Sequence, residues 1–238
     1  SAKCEPVVMD TRFNSSVTDI FRNEYLSPRS PYTTLQIPKQ GIGEWCHPLH
    51  TVDINDAGLR SSVQNGILNT ELGIPFRTPA EGHNVAFTSL WDNYPDSLEI
   101  PLKGKASRAY LLMAGSTNHM QCHIDNGVIR IYYKDGTRDV MFLRNPDNWP
   151  PIEHIFFEDG LAFNRHTPAL YRLRLKTGEI SNNFGEELGF PGASRELDGG
   201  AAVLLEMPLN PGKKLSHLVL ETLSNDVVIG LMSITLQR

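Results

Sequence analysis

Four features of this chain have residue types that could do chemistry: a histidine pair, an acidic turn, a scatter of carboxylates, and two tryptophan-bearing loops. His119 and His123, in Asn118-His119-Met120-Gln121-Cys122-His123, have the spacing that lets two imidazoles on one helix face share a zinc ion. The segment follows an apolar run and leads into Ile124-Asp125-Asn126-Gly127, which reads as a turn, so strand-like backbone is expected. Along a strand four residues span roughly 13 Å, too far for one ion. The glutamate that acts as base in the zinc-protease helix motif is also missing, and the two side chains read as loop or sheet-surface histidines. Asp53-Ile54-Asn55-Asp56-Ala57-Gly58 opens like a calcium loop, but Ala57 and Gln64 stand where the fifth and twelfth positions need oxygen ligands. It reads as an Asx-rich turn. A structural calcium held in another geometry stays open, and no other cofactor is expected.

Nucleophilic catalysis finds little support. Ala114-Gly115-Ser116-Thr117 lacks the second glycine of a nucleophile elbow, and no glycine-rich phosphate loop links a strand to a helix. Glycoside hydrolysis needs two carboxylates across a cleft. Glu153, Glu158, Asp159, Glu186, Glu187 and Asp198 are available, but no spacing pairs any of them, so only the fold can bring two together. The aromatic loops say more. Trp91-Asp92-Asn93-Tyr94-Pro95-Asp96 and Asn145-Pro146-Asp147-Asn148-Trp149-Pro150-Pro151 each set a large ring among short polar side chains. Sugar recognition uses that mixture, a flat apolar ring for the pyranose C–H face beside groups for its hydroxyls. Trp91, Asp92, Tyr94, Asn148 and Trp149 are therefore the candidate carbohydrate-binding residues, with Arg195 and Asp198 as weaker ones. The competing reading has the rings plugging the ends of a sandwich while Asn, Asp and Pro shape the turns. Trp45 reads as an anchor for the N-terminal segment.

The elements that must carry these loops are strands. Ala109 to Ala114 is a continuous apolar run suited to a strand buried on both faces. Val128 to Tyr133, Lys134-Asp135-Gly136-Thr137 and Arg138 to Leu143 form a hairpin pattern whose Asp-Gly pair predicts a type I′ turn. Asn84 to Thr88 and Tyr171 to Lys176 alternate. Ala201 to Met207, Leu215 to Leu223 and Val227 to Leu236 repeat the strand–turn format to the end of the chain. Regularly spaced short strands point to a sandwich or barrel. Before residue 66 the pattern is broken by Ser27-Pro28-Arg29-Ser30-Pro31 and Gln36 to Gly43, and only Val17 to Tyr25 suggests a short helix. Residues 1–65 are thus expected to lie extended against a β-sandwich domain spanning 66–238, with Gly185 to Gly200 as a long surface loop.

Composition bounds the partners. The 238 residues carry a formal net charge of −5 with 21% charged side chains, and acids interleave with bases at Arg130, Lys134, Asp135, Arg138 and Asp139. Nucleic-acid binding would need bases gathered on one face. No apolar run reaches membrane-spanning length, so no membrane insertion is expected. Cys4, Cys46 and Cys122 contain no C-x-x-C, leaving one disulfide plus a thiol, or three thiols. The opening Ser1-Ala2-Lys3-Cys4 shows no export signal and does not disclose a compartment.

Several stretches together resemble galactose-binding-like jelly-roll domains. They are Gly73-Ile74-Pro75-Phe76, Ile100 to Ala106 running into Tyr110 to Gly115, Tyr133-Lys134-Asp135-Gly136, and Asn145 to Pro150. Asn210-Pro211-Gly212-Lys213-Lys214-Leu215 and the closing run Ile229 to Leu236 complete the set. The longer phrases Ser89 to Pro95, Leu112 to Asn118 and Asn225 to Met232 resemble the uncharacterised sandwich region attached to predicted glycoside hydrolases of glycan-degrading gut bacteria. The resemblance implies an all-β jelly-roll sandwich in a periplasmic, cell-surface or secreted protein. It would be a non-catalytic accessory module that binds glycan weakly or supports a catalytic domain. It brings no catalytic residues. A purely structural interaction domain and a hydrolase with fold-assembled carboxylates remain the alternatives.

Overall fold

The computed structural model describes residues 3–23, 25, 53–91, 93–117, 121–155, 167–188 and 196–238. In chain order its strands are β1 (Cys4–Pro6), β2 (Ile67–Asn69), β3 (Pro75–Arg77), β4 (Ala86–Ser89), β5 (Ser97–Pro101), β6 (Arg108–Thr117) and β7 (Asp125–Tyr133). They continue with β8 (Arg138–Arg144), β9 (Arg172–Arg174), β10 (Ile180–Ser181), β11 (Ala201–Pro208), β12 (Leu215–Thr222) and β13 (Val227–Gln237). The chain is an all-β sandwich. Its larger, seven-stranded sheet runs β1-β13-β6-β11-β9-β10, with β4 sharing the β1 side of β13; the smaller sheet runs β5-β12-β7-β8. All pairings in both sheets are antiparallel.

Alternation along β6 explains its unbroken apolar run. Leu111 and Met113 point into the core between the sheets, where they meet Ile129 and Ile131 of β7 and Leu218 and Leu220 of β12. Tyr110, Leu112 and Ala114 point the other way, into a second core with Ile20, Phe21, Leu59, Leu68 and Phe76. The N-terminal residues and the β2–β3 hairpin therefore roof the outer face of the large sheet, and β1 adds an edge strand along Thr235–Gln237 of β13. On β13, Met232 is the extra residue of a bulge between Leu231 and Ser233. It faces the second core while Leu231 and Ile234 both face the first, so the bulge resets the alternation.

Three local expectations change. Val17 to Tyr25 makes only a 3-10 turn at Val17–Asp19, because Ile20, Phe21 and Tyr25 are drawn into the second core. Tyr171 to Lys176 contributes only the three residues of β9. The β7–β8 turn is not type I′: Gly136 alone has positive φ, at 87°, and Gly136 N–H donates to the Tyr133 carbonyl at 3.0 Å. This is a type I turn closed by a left-handed glycine, with the Asp135 carboxylate accepting from Thr137 N at 2.9 Å. Trp45 and Cys46 lie outside the described residues, and no disulfide joins Cys4 to Cys122.

One close approach locks the end of β6. A Cβ on Gly115 would sit 2.0 Å from the Val228 carbonyl oxygen and 2.6 Å from Cζ2 of Trp149. Neither a paired strand nor a buried indole can yield that much. Gly115→Ala is expected to cost about 2–3 kcal/mol in urea unfolding. A loss under about 0.5 kcal/mol, within the range of ordinary surface changes, would show that the strands separate freely there.

Candidate functional site at the loop end of the sandwich

The C-terminal end of β6, the start of β13 and the end of β4 lie in one row, Ser116 opposite Val228 and Val228 opposite Ser89. Both aromatic loops are anchored here, but the rings do not come together. Trp149 has 0% of its surface exposed and belongs to the core between the sheets, against Gly115. Trp91 is 5% exposed and belongs to the second core. Of the two readings the sequence left open, the burial matches the one in which the rings plug the sandwich: burying a large flat apolar ring outweighs leaving it in water, and these loops fold inward to do so. Tyr94 is half-buried; it packs on Phe87 at 5.1 Å between ring centroids, and its hydroxyl meets Ser15 at 3.2 Å and the Asn23 amide. Burial raises its phenol above the usual range. Asn148 serves its own turn, accepting from Arg144 N at 2.7 Å and donating to the Phe142 carbonyl at 2.8 Å. Asp198 pairs with Lys176 at 2.7 Å. Asp92, Arg195 and His119 lie outside the described residues.

What the fold does assemble is a buried polar cluster. Residues 151–154 wedge between the ends of β6 and β11, with Ile152 N–H donating to the Gly115 carbonyl and Ala201 N–H to the Ile152 carbonyl. This puts Glu153 beneath Ser116, whose hydroxyl reaches both carboxyl oxygens at 3.2 and 3.0 Å. Arg172, also buried, spreads its guanidinium over four carbonyls: Pro151 at 2.9 Å, Ala201 at 3.0 Å, His154 at 3.2 Å and Ala202 at 3.2 Å. Burial pushes the Glu153 carboxyl up to about 8. Its own backbone N–H, Ser116 and Arg172 oppose the rise, and Glu196 adds to it. Burial lowers Arg172 to about 10, with Glu153 opposing. Beside the cluster, the Asn145 amide and the Trp149 indole nitrogen are buried with no hydrogen-bond partner among the described residues. His123 Nδ1 stands 3.9 Å from Asp147.

A carboxyl that keeps its proton near neutral pH has the state a general acid needs. Glu153, however, has no exposed surface, and Arg172 and His154 are buried with it. Among the described residues the geometry is that of a clamp: a fork of donors pinning four carbonyls from two chain segments, with a carboxyl below it. No spacing in the sequence pairs Glu153 with another group, and Arg172 stands there only as one member of the alternating run Tyr171 to Lys176. The only signal in the sequence was Arg172 itself, a charge in a run whose neighbours Leu173 and Leu175 enter the core.

No group of three or more metal-ligating side chains occurs among the described residues. In the calcium-like run the Asp56 carboxylate is taken by Arg60 at 2.9 Å and Asn84 at 2.9 Å, and Asn55 caps Ala57 N at 2.9 Å. No helix among the described residues is long and apolar enough to cross a membrane. Comparisons with family models, curated proteins and solved structures gave no match.

Glu153 makes stability depend on pH in a definite direction. Its folded pKa is raised from 4.5 to about 8, so between those values the folded chain holds a proton that the unfolded chain releases. The Glu153 contribution to stability is therefore fully present below about pH 4.5 and is lost as pH rises toward 8, by a few kcal/mol. Glu153→Gln keeps the shape and removes the titration. Urea midpoints from pH 5 to 8 are expected to fall more steeply for the wild type than for the variant. Parallel profiles would mean the carboxyl is already ionised in the folded chain. Arg172→Lys keeps the charge but not the fork, and is expected to cost about 2–4 kcal/mol in the same assay.

Proposed function

We propose that this chain is a non-catalytic accessory module of a carbohydrate-active protein, which buttresses a neighbouring catalytic domain and touches glycan at most weakly. Its jelly-roll type and its export to the periplasm or cell surface belong to the same proposal and rest on the resemblance of its motifs. The observation that carries the reading is the distribution of apolar surface. Both candidate indoles are interior, while Val140 and Phe142 on β8 are 41% and 45% exposed. β8 is an edge of the four-stranded sheet, and alternation sets Arg138, Val140, Phe142 and Arg144 on its outer face.

The rest of that face is closed by cross-strand pairs. Arg130 meets Glu221 at 2.7 Å, Tyr132 stacks on His217 at 4.7 Å and 12°, and Arg138 lies over Tyr132 at 5.9 Å. The stacked rings each give one face to the other, and Arg138 lies over Tyr132 as well. What remains is an apolar strip along a strand edge, the kind of surface that an adjoining domain covers. The buried state of Glu153 weighs against the hydrolase alternative, since substrate must reach a catalytic acid.

Two measurements test this. The double variant Val140→Lys/Phe142→Lys is expected to leave the isolated chain's urea stability within about 0.5 kcal/mol, as for residues kept apolar for a partner and not for the fold. A loss above about 2 kcal/mol would make them core residues and remove the docking surface. In parallel, a panel of polysaccharides and aryl glycosides is expected to yield no product. Turnover that vanishes in folded Glu153→Gln would replace this reading with the hydrolase one.

A further inference from the structure

A groove of about 370 Å³ lies where β1, on the large sheet, and the residues after β5, on the small sheet, approach each other at one open edge of the sandwich. Its apolar walls include Pro6 and Val8 from the N-terminal strand and its continuation, Pro101 from the end of β5, and Leu236 from β13. The volume is within the range of small-ligand sites and near the lower end of it.

The charges around the groove are unequal. Three cations and one carboxylate line it, in a chain whose net charge is −5. The carboxylate, Glu5, is used by Arg238 at 3.3 Å and Lys3 at 4.0 Å. Arg238 is used as well, donating to the Lys103 carbonyl at 2.6 Å and the Lys105 carbonyl at 3.0 Å. That leaves Arg12 and Lys103, both exposed, whose side chains make no hydrogen bond or ion pair with the described residues. They reach the groove from different segments, one after the N-terminal strand and one after β5. Two free cations flanking an apolar trough attract a ligand that has an anionic group and an apolar body.

We propose that this groove binds a small organic anion of about monosaccharide size, a ring with one C–H face and a carboxylate. Arg12 and Lys103 take the carboxylate, and Pro6, Val8 and Pro101 take the ring face. The site stands on the groove alone and holds whether or not the chain serves a carbohydrate-active protein. Neutral sugars lack the anion, and inorganic phosphate lacks the apolar face, so both are discriminated against by the same walls.

The test is an amide NMR titration of the full chain with glucuronate, glucose and inorganic phosphate as separate probes. Glucuronate is expected to shift Val8, Arg12 and Lys103 saturably in the millimolar range, less strongly as salt is added, while glucose leaves them unmoved and phosphate binds more weakly. Arg12→Gln and Lys103→Gln, which remove no side-chain hydrogen bond or ion pair within the described residues, are each expected to weaken glucuronate binding about fivefold. The proposal is overturned if glucuronate gives no saturable shift. It is equally overturned if glucose or phosphate shifts these residues as strongly, or if both variants bind glucuronate as the wild type does.

Discussion

The antiparallel pairing of β6 with β13 is the constraint on which the rest of the molecule depends. Ten residues of β6 and eleven of β13 lie side by side at the middle of the large sheet, and both faces of the pair are covered. The small sheet covers one face; the N-terminal residues and the β2–β3 hairpin cover the other. A strand buried on two sides is mostly apolar, with small hydroxyl residues such as Ser116, Thr117, Ser233 and Thr235 as its polar members here, and it cannot tolerate a one-residue slip, because a slip would exchange the contents of two differently shaped cores. The bulge at Met232 lets one strand serve both cores without breaking the pairing.

That pairing also explains why the loop end is polar inside. β6 and β13 run on past the point where β11 pairs with β6, and the gap is filled by residues 151–154. An inserted irregular segment brings carbonyls that no sheet ladder satisfies, and leaving them unpaired in the interior would be costly. Arg172 satisfies them from one planar group. Glu153, from the inserted segment itself, is buried beside it and is held by Ser116. The buried titratable pair follows from how the sheet ends, and a substrate is not needed to account for it.

The same reasoning sorts what was legible in the sequence from what was not. The β7–β8 hairpin, the double-sided burial of β6 and the closing strands follow from local patterns, since alternation and glycine placement act over a few residues. The placement of the Trp91 and Trp149 indoles stayed open in the sequence because an aromatic among Asn, Asp and Pro has the same composition whether its ring faces water or a core. Only the tertiary partner, Gly115 in the case of Trp149, decides. Ser116, Glu153 and Arg172 come from three separate segments, so no spacing could announce their meeting. The outward β8 strip was half legible: Val140 and Phe142 alternate with Asp139 and Met141, but which row faces solvent depends on the sheet behind. The groove beside Arg12 and Lys103 is a purely tertiary feature, formed where two edge strands of different sheets approach.

The polar cluster at the loop end ties the inserted segment 151–154 to β6, β9 and β11. Native-state hydrogen exchange tests it most directly, through the amides of Ile152, Leu197 and Ala201, which bond to Gly115, Glu153 and Ile152. A clamp predicts that they exchange only with global unfolding, at the same free energy and denaturant dependence as the amides of β6 and β13. Exchange through a low-energy local opening, with β6 and β13 still protected, would contradict the claim and make this end a segment that opens to admit a ligand.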